Sequence, residues 1–128
     1  MEKILVTLIA IKQYIKQYHW LAKSYQDHIL ADKLEEDLED YIDEVAELSL
    51  VTEIPNVEAR HLLGKATSFL NGKDKVDLNT LGELFAELLE ELQSVNEQVK
   101  LLGIADLTGR LSNSVLRKLY LIKLQLGK

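Results

Sequence analysis

The sequence predicts an all-α protein built as a bundle of four long helices, and three observations lead to this prediction. Four long segments carry apolar residues every three or four positions, the spacing that places them on one face of a helix. The 128-residue chain contains one Pro and six Gly, the two residue types that most disfavour helix interiors. No segment alternates apolar and polar residues as a strand does. Because this length is typical of one domain, we expect a single helical domain over residues 1–128.

The first two long helices are predicted at residues 3–22 and 25–50. One stripe of the first helix carries its apolar side chains at helical spacing: Ile4, Leu8, Ile11, Ile15 and Tyr18. Ser24 is placed to cap the second helix, because its hydroxyl can accept hydrogen bonds from early backbone N–H groups. Asp27, three residues later, completes a pair of the capping-box type. The second helix is expected to run through to residue 50 on the apolar positions Leu30, Leu34, Leu38, Tyr41, Val45 and Leu48.

A long connection follows the second helix and is expected to contain a short helix. Pro55 interrupts the chain after residue 50. A short helix is predicted at residues 57–70. The pair Asn71-Gly72 is expected to end it, because both residue types tolerate the left-handed conformation at a helix C-terminus.

The third long helix is predicted at residues 79–102, with Gly103 ending it and Asp106 capping the fourth. The apolar face of the fourth helix carries Leu107, Leu111, Val115, Leu119 and Ile122. Two helices, a long link that holds a short helix, and two further helices make up the arrangement of ferritin-like four-helix bundles. The predicted fold class is therefore an all-α, ferritin-like four-helix bundle with a short helix in the crossover between helices 2 and 3.

Composition excludes several kinds of function. Cys is absent, which rules out disulfides, thiolate zinc sites, iron–sulfur clusters and Cys nucleophiles, so any metal must be bound by His nitrogen and carboxylate oxygen. No run of apolar residues is long enough for a membrane span, and the first residues lack the pattern of a signal peptide. We therefore expect a cytoplasmic protein that does not span a membrane. The formal net charge of −6 disfavours nucleic-acid binding and favours the attraction of cations.

The acidic residues of the second helix are concentrated on one face. At about 100° per residue, His28 and five carboxylates fall within an arc of about 100°. These carboxylates belong to Asp32, Glu36, Glu39, Asp43 and Glu47. The apolar residues of the helix lie almost opposite, and a solvated outer face is the simplest interpretation. However, like charges four residues apart destabilise a helix by a few tenths of a kcal/mol per pair. A bound cation or a basic partner surface would offset that repulsion.

Residues of the kinds that bind metals recur at regular spacings from the end of the first helix into the second. In chain order they are His19 (followed by Trp20), His28, Asp32, Asp43 and Glu47. The last four are separated by four, eleven and four residues. These spacings, and the His-Trp pair that closes the first helix, resemble the Dps family of mini-ferritins, to which the helical layout is also similar. One spacing departs from the family: nine residues separate His19 from His28, where the family usually has twelve.

The resemblance implies an iron site shared between two subunits. His19, His28 and Asp32 would come from one subunit, and Asp43 and Glu47 from its partner. The implied activity is oxidation of Fe(II) by peroxide or oxygen and storage of ferric iron in a twelve-subunit shell, with no catalytic residues apart from the metal ligands. A homo-oligomer is therefore expected, at least a dimer and up to a dodecamer. Tail-mediated DNA binding is not expected, because the sequence shows no Lys-rich N-terminal tail.

Two other functions stay open at this stage. One is a metal-free helical assembly or adaptor protein that binds a basic partner through its acidic face. The other is a hydrolase or oxygenase with a dimetal site, for which the sequence offers no identifiable acid, base or substrate pocket. Metal content separates the first of these from an iron-binding protein.

Overall fold

The computed structural model describes residues 1–52 and 58–127, and all regular secondary structure in these ranges is α-helix. The six helices are α1 (Glu2–Leu21), α2 (Tyr25–Glu35), α3 (Leu38–Thr52), α4 (Ala59–Phe69), α5 (Leu78–Gln98) and α6 (Leu102–Leu126). The prediction of an all-α protein is confirmed. The predicted interruption at Pro55 and the first residue of the predicted short helix lie outside the described residues. Within these ranges, no helix combines the length and the apolar character needed to cross a membrane.

Helix α1 is the centre of the packing. It contacts α2, α3, α4 and α5, while α6 packs mainly against α5 and also contacts α2. A helix with four neighbours must present apolar side chains in several directions, and half of the 20 residues of α1 are buried. The predicted stripe is confirmed as part of the core, since these side chains are all buried: Ile4, Leu8, Ile11, Ile15 and Tyr18. Each large apolar side chain that becomes fully buried contributes about 1.5–3 kcal/mol.

The second predicted helix is interrupted at Glu36 and Asp37, so the prediction of one helix over residues 25–50 was wrong. Asp37 has a φ of 62°, in the left-handed region that few residues other than Gly, Asn and Asp adopt. Glu36 is extended, with a ψ of 137°. The prediction assumed a rotation of about 100° per residue along the whole segment. That rotation does not hold across these two residues.

Two side chains of α6 stabilise this interruption. Lys118 Nζ donates a hydrogen bond to the carbonyl oxygen of Glu36 at 2.7 Å and lies 3.1 Å from Asp37 Oδ1. Ser114 Oγ donates to the same carboxylate, 3.0 Å from Oδ2. Lys118 is only 5% exposed, and these contacts offset the cost of burying its ammonium group. The interruption is thus stabilised by contacts between distant parts of the chain, which helical periodicity does not reveal.

The boundary between the last two helices also differs from the prediction. Helix α5 ends at Gln98 and α6 begins at Leu102, so Gly103 and Asp106 both lie inside α6. The predicted stop at Gly103 and cap at Asp106 were therefore wrong. Val99 leaves the helix instead, with φ −109° and ψ 111°. These extended angles suit a β-branched residue better than they suit most others.

A buried carboxylate lies between α1 and α5. Glu91 is 6% exposed, and Thr7 Oγ1 donates a hydrogen bond to its Oε2 at 2.9 Å. Its Oε1 has no hydrogen-bond partner within the described part of the chain. Burial raises the pKa of Glu91 to about 7, although the Thr7 hydrogen bond and the charge of Lys3 act in the opposite direction. Near neutral pH this side chain therefore changes its charge inside the core.

Replacing Glu91 with Gln is expected to stabilise the protein at about pH 8 by about 1–2 kcal/mol, with little effect at about pH 4. Because the folded pKa of about 7 exceeds the ordinary value of 4.5, the folded state keeps a proton that the unfolded chain releases. The resulting stabilisation is present below about pH 4.5 and is lost as the pH rises to about 7. Urea unfolding at both pH values measures the difference, with Glu83→Gln, which changes an exposed carboxylate of the same helix, as the control. A pH-independent difference between Glu91→Gln and the wild type would contradict this prediction.

Candidate metal centre

The turn between α1 and α2 brings two histidines side by side. Ser24 Oγ accepts a hydrogen bond from the backbone N–H of Asp27 at 3.1 Å, so the predicted cap is confirmed and α2 begins at Tyr25. This start places His28 in the first turns of α2, opposite His19 in the last turn of α1. Their Nε2 atoms are 3.2 Å apart, and the two rings meet edge to face with centroids 4.1 Å apart.

Asp32 lies one turn after His28 on α2 and completes a cluster with the two histidines. Its Oδ1 is 3.6 Å from His19 Nδ1. One ligand atom from each of the three residues lies within 4.8 Å of the other two. A tetrahedral ion with bonds of about 2.0–2.2 Å holds its ligands about 3.4 Å apart. Small side-chain adjustments would therefore let His19, His28 and Asp32 bind one ion, and we call this group the His–Asp cluster.

The two ring nitrogens of His19 face different neighbours: Nε2 faces His28 and Nδ1 faces Asp32. Metal-binding histidines commonly donate their second ring N–H to a carboxylate, which fixes the orientation of the ring. The geometry therefore suits two arrangements. Asp32 can bind the ion directly, or the two Nε2 atoms can bind it while Asp32 orients His19.

The His–Asp cluster is open to solvent on one side. The side chain of His19 is 24% exposed and that of Asp32 is 55% exposed. Trp20, which follows His19 in the chain, is 74% exposed, and Tyr25 at the start of α2 is 79% exposed. An ion held by three protein ligands keeps coordination positions for water, substrate or a partner. The exposed aromatic side chains are of the kind enriched in contacts between proteins.

Asp43 and Glu47 are not part of the His–Asp cluster. Both lie on α3, beyond the interruption that separates α3 from α2, and both are exposed. Neither carboxylate forms a hydrogen bond or an ion pair within residues 1–52 and 58–127. Their assignment as metal ligands stays a prediction, because within one chain these two residues do not meet the other three.

Some of the acidic residues of α3 are neutralised by basic residues of other helices. Lys12 of α1 forms an ion pair with Glu39. Arg110 of α6 binds Glu44 through two nitrogens, one of them at 3.1 Å. These partners come from distant parts of the sequence. The repulsion expected from the like charges along the helix is therefore partly cancelled in the folded protein. His61, which lies on α4, contacts Glu2 at 3.4 Å and is not part of the cluster.

A contact that was not predicted lies beside the histidines. Tyr18 Oη donates a hydrogen bond to Asp27 Oδ1 at 2.9 Å. The separation of these two residues is nine, the same as that of His19 and His28. This repeated spacing across one turn was the signal in the sequence that could have revealed the contact.

Comparisons of the chain with protein-family models, with curated proteins and with solved structures find no match. The chemistry of the His–Asp cluster therefore has to be inferred from its own residues and their geometry.

Proposed function

We propose that the protein binds a divalent transition-metal ion through His19, His28 and Asp32, and that Fe(II) is the ion on which it acts. The observation that carries this proposal is the convergence of two imidazoles and a carboxylate within 4.8 Å. Imidazole and carboxylate ligands suit iron, manganese and zinc. A sequence without Cys offers no thiolate that would favour softer ions.

The proposal includes a second copy of the chain, in line with the resemblance to Dps. In this arrangement Asp43 and Glu47 of the partner complete the coordination left open by the His–Asp cluster. The exposure of both carboxylates, and their lack of a partner within the described residues, support this role. The position of α4 in the connection between α3 and α5 supports a ferritin-like arrangement, with α2 and α3 together in the place of one long helix.

A groove of about 460 Å³ between α1, α3 and α4 supports a second copy on this side of the molecule. Its apolar lining consists of Leu5, Ile9, Ile42, Ala46, Ala59, Leu62 and Leu63. Lys12 and Lys16 line the α1 side of the groove. His19 follows Lys16 after three residues, so it lies on the same side of α1. Concave apolar surface of this kind commonly marks an interaction site. A partner that covers the groove would also lie close to the end of α1 that carries the cluster.

The proposed reaction is the oxidation of Fe(II). Two Fe(II) ions give one electron each to one molecule of peroxide, which takes up two protons and leaves as two molecules of water. The imidazoles of His19 and His28 hold Fe(II), and the carboxylates stabilise the higher charge of Fe(III). The chain's own residues thus bind the ion and balance its charge, and no separate catalytic acid or base is required.

The test is an anaerobic Fe(II) titration followed by addition of peroxide. We expect the wild type to bind about one or two ions per site, and to form ferric iron faster than the buffer does. The double variant Asp43→Ala/Glu47→Ala should lose most of this rate. Glu83→Ala/Glu90→Ala removes the same charge from the exposed side of α5 and is the control. Absence of Fe(II) binding by the wild type would refute the proposal, and an unchanged rate in the first double variant would refute the role of the partner.

A metal-free adaptor is the second candidate function, and the exposed face of α3 favours it. Asp43 and Glu47 are followed on the same helix by Leu50 and Val51, which are 50% and 83% exposed. A helix surface with both acidic and apolar residues suits a basic partner protein. In that case the purified protein would contain no metal and would not bind Fe(II).

A further inference from the structure

Tyr18 and Asp27 connect α1 to α2 one residue before each of the two histidines. Their hydrogen bond is 2.9 Å long, and the adjacent contact between His19 and His28 is 3.2 Å. Tyr18 is 8% exposed, and its hydrogen bond to Asp27 is partly buried.

Asp27 is held from three directions. In addition to Tyr18 on α1, Gln125 Nε2 on α6 donates to its Oδ1 at 3.1 Å. Its backbone N–H donates to Ser24 Oγ at the start of α2. The first turn of α2 is therefore fixed relative to both α1 and α6 by polar contacts.

Helix α2 is short and buries few side chains, so polar contacts at its ends matter for its stability. It has 11 residues, of which three are buried: Leu30, Ala31 and Leu34. Isolated helices shorter than about 12–15 residues are only marginally stable in water. The far end of α2 is held by Lys118 and Ser114 of α6, as described above. The short helix that carries His28 and Asp32 is thus anchored by hydrogen bonds at both ends.

We propose that Tyr18 and Asp27 are positioning residues of the His–Asp cluster, whose hydrogen bond sets the separation of α1 and α2 at which His19 and His28 share one ion. Neither residue binds the ion. Adjacent Cα atoms are about 3.8 Å apart, so a shift between the helices at Tyr18 and Asp27 moves the two histidines by a similar amount. This inference rests on the proposed metal-binding function.

Tyr18→Phe removes only the hydroxyl group and keeps the buried ring. We expect it to lower the affinity for Fe(II), titrated anaerobically, by about 10-fold, the effect typical of losing a group that orients metal ligands. Tyr14→Phe is the matched control, because Tyr14 is also buried on α1 and hydrogen-bonded, donating to the carbonyl oxygen of Lys75 at 2.7 Å. The Tyr14 hydroxyl also accepts a hydrogen bond from the backbone N–H of Asp77 at 3.1 Å, so Tyr14→Phe should destabilise the protein at least as much as Tyr18→Phe does, yet leave the affinity within about 2-fold. Asp27→Ala removes the same hydrogen bond from the other side and should reproduce the effect of Tyr18→Phe.

A second measurement needs no metal. In the metal-free protein, nuclear Overhauser contacts between the rings of His19 and His28 should be present in the wild type and in Tyr14→Phe, and should be lost in Tyr18→Phe. If the wild type fails to bind Fe(II) but these contacts behave as expected, the proposed function is refuted and the positioning role stands. Intact ring contacts in Tyr18→Phe, or equal losses of affinity in Tyr18→Phe and Tyr14→Phe, would overturn the positioning role.

Discussion

Replacing His28 with Ala is expected to lower the affinity for Fe(II) and Zn(II) by at least about 100-fold, equivalent to about 2.7 kcal/mol. His28 supplies one of the three ligand groups of the cluster, and its Nε2 is the nitrogen nearest to His19. Without it, His19 and Asp32 remain as a pair in which Asp32 approaches the other ring nitrogen. Two ligands on an exposed surface compete poorly with water for the ion. Anaerobic titration calorimetry with each metal measures the change.

His61→Ala is the matched control for this experiment. His61 is exposed on α4, lies 3.4 Å from the carboxylate of Glu2, and is not part of the cluster. Its removal should leave the affinity for either metal unchanged within about 2-fold. If His61→Ala weakens binding as much as His28→Ala does, the ion is bound elsewhere on the protein and the cluster is not the site.

Replacing Lys118 with Met is expected to lower the free energy of unfolding by about 2–3 kcal/mol. Met fills most of the space of the Lys side chain, but it leaves the carbonyl oxygen of Glu36 and one contact of the Asp37 carboxylate without their donor. Removing one partner of a fully buried ion pair costs about 3–5 kcal/mol. The side chain of Asp37 is 43% exposed and Ser114 still donates to it, which reduces the loss.

Urea unfolding measures this loss, and two further variants identify its origin. Lys123→Met changes an exposed Lys of the same helix and should alter stability by less than about 0.5 kcal/mol. Asp37→Asn, combined with Lys118→Met in a double-mutant cycle, should give a coupling energy of about 1 kcal/mol. If Lys118→Met and Lys123→Met have equal effects, Lys118 does not stabilise the interruption between α2 and α3.

The sequence predicted those parts of the fold that depend on local pattern. The stripe of α1 could be predicted because apolar residues at helical spacing mark a buried face, whichever helices pack against it. The cap at Ser24 was visible because its hydroxyl binds an N–H three residues away. The interruption at Asp37 was not visible, because Lys118 is 82 residues from Glu36 in the sequence. The end of α5 at Gln98 was not predicted, because Gly103 is a stronger local signal for a helix end, although the helix does not end there.

The candidate site was predictable to a similar extent. The grouping of His19, His28 and Asp32 follows from one turn between two helices and one helical turn within α2. These are short-range features, and the structure brings the three residues together. The prediction for Asp43 and Glu47 requires contacts between two chains, which the geometry of one chain does not test. The hydrogen bond between Tyr18 and Asp27 could have been predicted from the shared nine-residue spacing, but Asp27 was interpreted only as part of the cap of α2.

The openness of the His–Asp cluster has a consequence for how an ion would come and go. Structural zinc sites are closed by four protein ligands, and the fold around them often depends on the metal. Here three side chains at the surface would leave the other positions to exchanging water or to the carboxylates of a second copy, while the apolar core is formed by other residues. An ion could therefore bind and dissociate without unfolding of the chain. Such a centre is suited to binding and releasing metal ions rather than to holding one ion permanently.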